Sequence, residues 1–200
     1  MSIKIYYTGV GSRKAGTRED LIRIGTICRK MVAFGGVLRS GGATGADTIF
    51  ETAHEYFLRI DKYGGCIPNH RRSEIYTPWA GYYSDCCDDS DVIDLESVDV
   101  GLVHTAYEIA KSIHPAWGSL SEGGRKLHAR NVLQVLGKDL KTPSALLVCV
   151  APTNDPRRRG VPVGGTRTAW KVAELHGIDC YNISIDSHYR SLLNFLDFFL

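Results

Sequence analysis

Three glycine-rich turns in this 200-residue chain carry residue types suited to holding an anion. The first is Gly9-Val-Gly11-Ser12-Arg13-Lys14. The second is Arg39-Ser-Gly41-Gly42-Ala-Thr44-Gly45, followed by Asp47 and Glu51. The third is Gly164-Gly165-Thr166-Arg167-Thr168. Glycine lacks a Cβ, so the backbone can turn sharply and approach a ligand closely. Where such a turn opens a helix, unpaired N–H groups and the positive end of the helix dipole point at the same place. That is a ready cradle for phosphate. Arg13, Arg39 and Arg167 give each corner a guanidinium, so the expected ligand is an anion with more than one charged group.

The elements that must position these corners follow from hydrophobic pattern. Ile3 to Thr8 reads as a strand, and Thr17 with Asp20 forms a capping box ahead of Leu21, Ile24, Ile27, Cys28 and Met31 at helical spacing. Gly35-Gly36 ends that helix. A strand at Val37 to Ser40, a helix from Ala46 to about Arg59 and a short strand at Gly64 to Pro68 come next. The stretch from Asn69 to about Val100 reads as irregular, and 69–124 as an insertion. Helices are expected at Gly101–Ile113 and Leu127–Leu136, a buried strand at Ser144–Val150, a helix from Gly164 to His176, a strand at Ile178–Ile183 and a closing helix from Ser187. Alternating strands and helices, with strands apolar on both faces, predict one α/β domain over 1–200. It is a Rossmann-like, doubly wound, mainly parallel sheet with helices on both faces. In such sheets the strand-to-helix turns share the carboxyl edge, which brings the three corners to one site.

Composition narrows the class. The net charge is +2, no apolar run reaches the length of a membrane span, and the expectation is a cytoplasmic protein with no membrane partner. Six scattered cysteines without a Cys-x-x-Cys pair read as buried reduced thiols. The first turn is not a dinucleotide fingerprint, because Lys14 stands at the third glycine position. The chain has no Walker A loop, Gly-x-Ser-x-Gly elbow or His-Glu-x-x-His pair. Asp89, Asp91 and Asp94 lack the spacing of a calcium loop. No metal and no cofactor are expected. The basic run Arg157 to Arg159 is short, and reads as a solvated loop tip.

Ser40-Gly-Gly-Ala-Thr-Gly-Ala-Asp-Thr48 with Glu51, Ala129-Arg-Asn131, and Gly164-Gly-Thr-Arg-Thr168 ahead of Gly177 together resemble the SLOG superfamily. The likeness is to its small YpsA-like branch, with the DNA-processing-protein-A-like proteins common in phages, and it spans nearly the whole chain. The superfamily also includes the Lonely Guy phosphoribohydrolases. The resemblance implies a Rossmann-like fold and a homo-oligomer, dimer or higher. It implies a site for a nucleotide or nucleotide-derived signal, formed by Gly9, Gly11, Ser12, Arg13, Gly41, Gly42, Thr44, Asp47, Arg130 and Asn131, with a phosphate at Gly164 to Thr168. In a phage setting, holding such a signal would sequester it from host defence. Two alternatives stand beside it: N-glycosidic hydrolysis of nucleoside monophosphates, and single-stranded DNA binding in the manner of DNA processing protein A. The run Val163-Gly-Gly-Thr-Arg-Thr-Ala-Trp-Lys171 departs from the Lonely Guy motif, with arginine for a glycine and lysine for its glutamate. That argues against the same hydrolysis. A hydrolase built on this chain would have to use Asp47 or Glu51 as its carboxylate. Nucleic acid is the less favoured partner, since the net charge is small and no long cationic track is present.

Overall fold

The computed structural model describes residues 4–63, 73–83, 92–154 and 160–198. Six strands form one parallel sheet in the order β4-β3-β2-β1-β5-β6: β1 Ile5–Gly11, β2 Gly36–Ser40, β3 Ser73–Thr77, β4 Val92–Asp94, β5 Leu146–Val150 and β6 Asp179–Asn182. The helices are α1 Arg18–Ala33, α2 Ala46–Tyr63, α3 Val100–Ile113, α4 Glu122–Leu136, α5 Thr166–Leu175 and α6 Asp186–Phe198. This is the doubly wound α/β architecture that the alternation predicts.

Each face of the sheet is buried for its own reason. On one face α1, α2 and α6 bring Ile24, Ile27, Met31, Phe50, Leu192 and Leu196 against Tyr7, Leu38 and Val148. On the other, α3, α4 and α5 bring Ala106, Val132, Leu133, Trp170 and Val172 against Val10, Leu147 and Cys149. Burying each large aliphatic side chain stabilises the fold by about 1.5–3 kcal/mol. Polar groups in the central strand are matched rather than excluded. The Thr8 hydroxyl lies 2.8 Å from Ser144 Oγ and 3.0 Å from the Gln134 carbonyl, and the Tyr7 hydroxyl lies 2.8 Å from His54 Nδ1. The capping box is present: Asp20 N–H donates to Thr17 Oγ1, and Thr17 N–H to the Asp20 carboxylate. Gly35, at φ 71°, ends α1 where few other residues fit.

Three expectations change. β1 runs on to Gly11, so Gly9 is a strand residue. A Cβ there would lie 2.8 Å from Phe50 and 2.9 Å from Leu38, and the glycine makes room for that packing. The stretch read as irregular contributes β3 and β4, and the expected helix at Gly101–Ile113 is α3, so 69–124 supplies integral parts of the sheet and its covering layer. The sequence hid β3 because Ser73-Glu-Ile-Tyr-Thr77 begins and ends on polar residues and shows neither alternation nor an apolar run; the part-buried charge of Glu74 pairs with Arg39 on β2. The expected helix at Leu127 starts a turn and more earlier, at Glu122, where the Ser121 hydroxyl caps it by accepting from Gly124 N–H. The strand expected at Gly64–Pro68, the run Arg157–Arg159 and Cys66, Cys86 and Cys87 lie outside the described residues. Cys28 and Cys149 are buried free thiols, and Cys180 is half-buried and free. Among the described residues no helix is long and apolar enough to cross a membrane.

Candidate functional site

β1 pairs with β2 on one side and with β5 on the other, so the strand order reverses direction at β1. The crevice outside the carboxyl ends of such strands is where open α/β sheets bind ligands. Here it holds a cavity of about 510 Å³, lined from several elements at once. Gly11, Ser12, Arg13 and Lys14 come from the end of β1, and Ala43 and Asp47 from the turn into α2. His128, Arg130 and Asn131 come from α4, and Gly164, Gly165 and Thr166 from the start of α5.

Ser12 is the hinge pin of the first corner. Its N–H donates to the Val150 carbonyl at 2.8 Å, and its carbonyl accepts from Ala46 N–H at 3.0 Å. β1, β5 and the first turn of α2 are thereby tied at one residue. Arg13 and Lys14, just beyond it, are exposed at the cavity wall.

The second corner is closed from within. Gly42 N–H donates to Glu51 Oε1 at 3.0 Å, and Ala43 N–H points at Asp47 Oδ2 at 3.4 Å. The Arg130 guanidinium lies over Gly41, where a Cβ would stand 1.6 Å from Nη1. Arg130 Nη1 is 3.7 Å from Asp47 Oδ2 and donates to Gln134 Oε1 at 2.8 Å. Burial pushes the Asp47 carboxyl up to about 6, against the pull of Arg130, the Ala43 and Gly11 N–H groups and Arg13. Burial, and then the neighbouring Asp47, push Glu51 up to about 7, against the Ser40 hydroxyl, Gly42 N–H and Tyr83. Asp47 reaches the cavity wall, while Glu51 lies behind it.

The third corner is open. Gly164 takes φ 71°, and Gly165 stands at the head of α5 with no side-chain cap. The first hydrogen bonds of the helix run from Arg167 and Thr168 N–H back to the Gly164 and Gly165 carbonyls. Asn131 Nδ2 donates to the Gly165 carbonyl at 3.1 Å, which fixes the turn against α4. The departure at Lys171 is on the surface, paired with Glu174.

Not every expected residue gathers here. Arg39 is buried and turned away: it donates to Glu74 at 2.8 Å and to the Thr142 carbonyl at 2.5 Å, and its guanidinium stacks 3.8 Å from the Tyr6 ring. Gly42 sits under Tyr83 and Thr44 is exposed outside the cavity lining. Arg167 and Thr168 line an adjoining cavity instead. His128 is the wall residue that sequence reasoning missed. Its Nδ1 lies 2.7 Å from Thr168 Oγ1, and burial, with His114 and Arg130 nearby, lowers its pKa to about 4. Its only sequence signal is its place one residue before Ala129-Arg-Asn131. Among the described residues no cluster of three or more potential metal ligands occurs.

No protein-family model matches the chain, and no curated protein does. Among solved structures, the chain is similar to DNA processing protein A from Helicobacter pylori, which binds single-stranded DNA. The two are 14% identical over 89% of this chain and 64% of that one, with a TM-score of 0.49. The chain therefore spans less than two thirds of that protein's length, and at this distance the likeness carries no argument about the ligand.

Proposed function

We propose that the protein binds a nucleotide or nucleotide-derived small molecule in the cavity between β1 and β5, with a phosphate against the head of α5. The observation that carries this reading is the charge placement around that cavity. Arg13, Lys14 and Arg130 line it together with an uncapped helix N-terminus, against one carboxylate, Asp47. Arg130 supplies its charge at the cavity wall, held there by Gln134 and Asp47. A volume of about 510 Å³ suits a ligand of nucleotide size. Binding rather than hydrolysis is the reading we favour, because Asp47 and Glu51 are engaged in holding the second corner. A hydrolase would need one of them to face the sugar.

The test is thermal unfolding with nucleoside monophosphates and the matching nucleosides. At about 100 times the dissociation constant the phosphate-bearing ligand should add roughly 2.7 kcal/mol of stability. Nucleosides should add little. Equal shifts from both would remove the phosphate from the reading, and free base released on incubation would make the protein a hydrolase.

A second reading is single-stranded DNA. Its support in this chain is a set of exposed cations, Arg13, Lys14 and Arg167, on the turns around the two adjoining cavities. Tight oligonucleotide binding with a steep salt dependence, and no response to mononucleotides, is the result that selects it.

A further inference from the structure

A second cavity, of about 280 Å³, adjoins the first at the Gly164–Gly165 turn. It shares His128, Gly164 and Gly165 with the larger one, so the two are neighbouring chambers that meet at the head of α5. Their walls differ in chemistry. The larger has Arg13, Lys14 and Arg130, whereas the smaller has Ile113, Pro115 and two imidazoles, with Arg167 as its arginine. The His114 and His128 rings are 4.4 Å apart and tilted by 58°, and both pack near Trp117. His128, its pKa lowered to about 4 by burial, is neutral at physiological pH. Imidazole rings and aliphatic groups beside Arg167 form a wall that suits a flat heterocycle.

We propose that the smaller chamber is a base-binding subsite, and that the ligand is a two-headed nucleotide whose ring systems are joined through phosphate lying across Gly164 and Gly165. This deepens the nucleotide reading above and rests on it. The larger chamber takes one nucleoside and the cationic contacts. The uncapped turn takes the bridging phosphate. The smaller chamber takes the second base, against His114 and Pro115. A mononucleotide leaves one chamber unfilled, so it binds more weakly than a ligand that reaches both.

Calorimetric titration of the full chain tests this with three sets of probes: the four ribonucleoside 5′-monophosphates, the matching 5′-phosphorylated dinucleotides, and dinucleoside pyrophosphates of the same bases. A ten-nucleotide single-stranded DNA is the fourth arm. For at least one base, a two-headed probe should bind about tenfold tighter than its monophosphate, the gain expected of one stacked base. Which linkage gains identifies the bridge. In Pro115→Trp, which fills the chamber from an exposed position, and in His114→Ala, the ratio of the two affinities should fall to near one, with thermal melts confirming that both variants fold. Monophosphates that bind without any two-headed probe gaining would overturn this inference and leave the nucleotide reading standing. A gain that survives both variants puts the second head elsewhere and also overturns it. Ten nucleotides binding far more tightly than two would replace the two-headed ligand with a strand. No response to any probe would overturn both readings.

Discussion

The corner between β2 and α2 and the corner between β5 and α5 share a Gly-Gly step at the carboxyl edge of the same sheet, yet they do opposite things. At the first, Glu51 and Asp47 reach back from α2 to accept the Gly42 and Ala43 N–H groups, and Ser12 takes the Ala46 N–H. The donors a phosphate would use are already spent on the protein. At the second, α5 begins at Gly165 with no side-chain cap, and its acid-free first turn faces the cavity. The lesson is that glycine spacing makes a corner, while the acids in the following helix decide whether its N–H groups are spent on the protein or left open.

The sharpest way to break the comparison is to add one Cβ to each corner. At Gly41 that atom would stand 1.6 Å from Arg130 Nη1 and 2.7 Å from Asp47 Oδ2. Arg130 must then leave Asp47 and Gln134, and parting a buried pair costs about 3–5 kcal/mol. At Gly165 nothing lies within 4 Å and φ is −60°, so alanine fits. Gly41→Ala should lose about 3 kcal/mol or more in urea unfolding. Gly165→Ala should be neutral or gain about 0.4–1 kcal/mol. Similar losses at both would mean that the two corners are built alike.

A smaller effect should follow from pH. The folded state raises Glu51 from its ordinary 4.5 to about 7 and Asp47 from 3.8 to about 6. The folded protein therefore holds more protons than the unfolded chain between those limits, and stability falls as pH rises through them. His128, lowered from 6.5 to about 4, acts in the opposite sense. That opposing contribution fades only above about pH 7.5, once the unfolded-state imidazole is deprotonated. Wild-type stability should therefore drop by roughly half a kcal/mol from pH 6.5 to 8.5. Glu51→Gln keeps an acceptor for Gly42 N–H and should flatten the slope. An unchanged slope in that variant would place the titrating group elsewhere.

Much of this was legible in the residues and some was not, for physical reasons. The capping box at Thr17 and Asp20, the helix end at Gly35 and the apolar stripe of α1 are local signals, and they stand as read. Asp47 and Glu51, four apart on one helical face, could be paired from spacing alone. Their direction could not, because it depends on a turn that folds back over its own helix. Arg39 shows the same limit across a longer span. It stands at the end of β2, but its partners are Glu74, Thr142 and the ring of Tyr6, brought together by the register of three strands and the turn after α4. β3 has polar residues at both ends, and its Glu74 charge makes sense only beside Arg39. His128 becomes a wall residue only once α4 lies over the β1–β5 junction.

The finest test converts one corner into the other. Gly165 is the N-cap of α5, exposed and helical in backbone at φ −60° and ψ −34°, so a carboxylate can be placed there without strain. An Asp there meets the positive end of the helix dipole, so G165D should gain a few tenths of a kcal/mol over glycine. The same carboxylate sets a negative charge beside a bound anion. A unit charge at about 4 Å costs about 1 kcal/mol even in water, so affinity for inorganic phosphate should fall by roughly fivefold or more. Stability and affinity should therefore move in opposite directions, read by urea unfolding and by phosphate titration on the same sample. If both fall, the substitution has merely damaged the turn. If stability rises while phosphate affinity holds, the head of α5 is not where the anion sits, and the open corner has some other purpose.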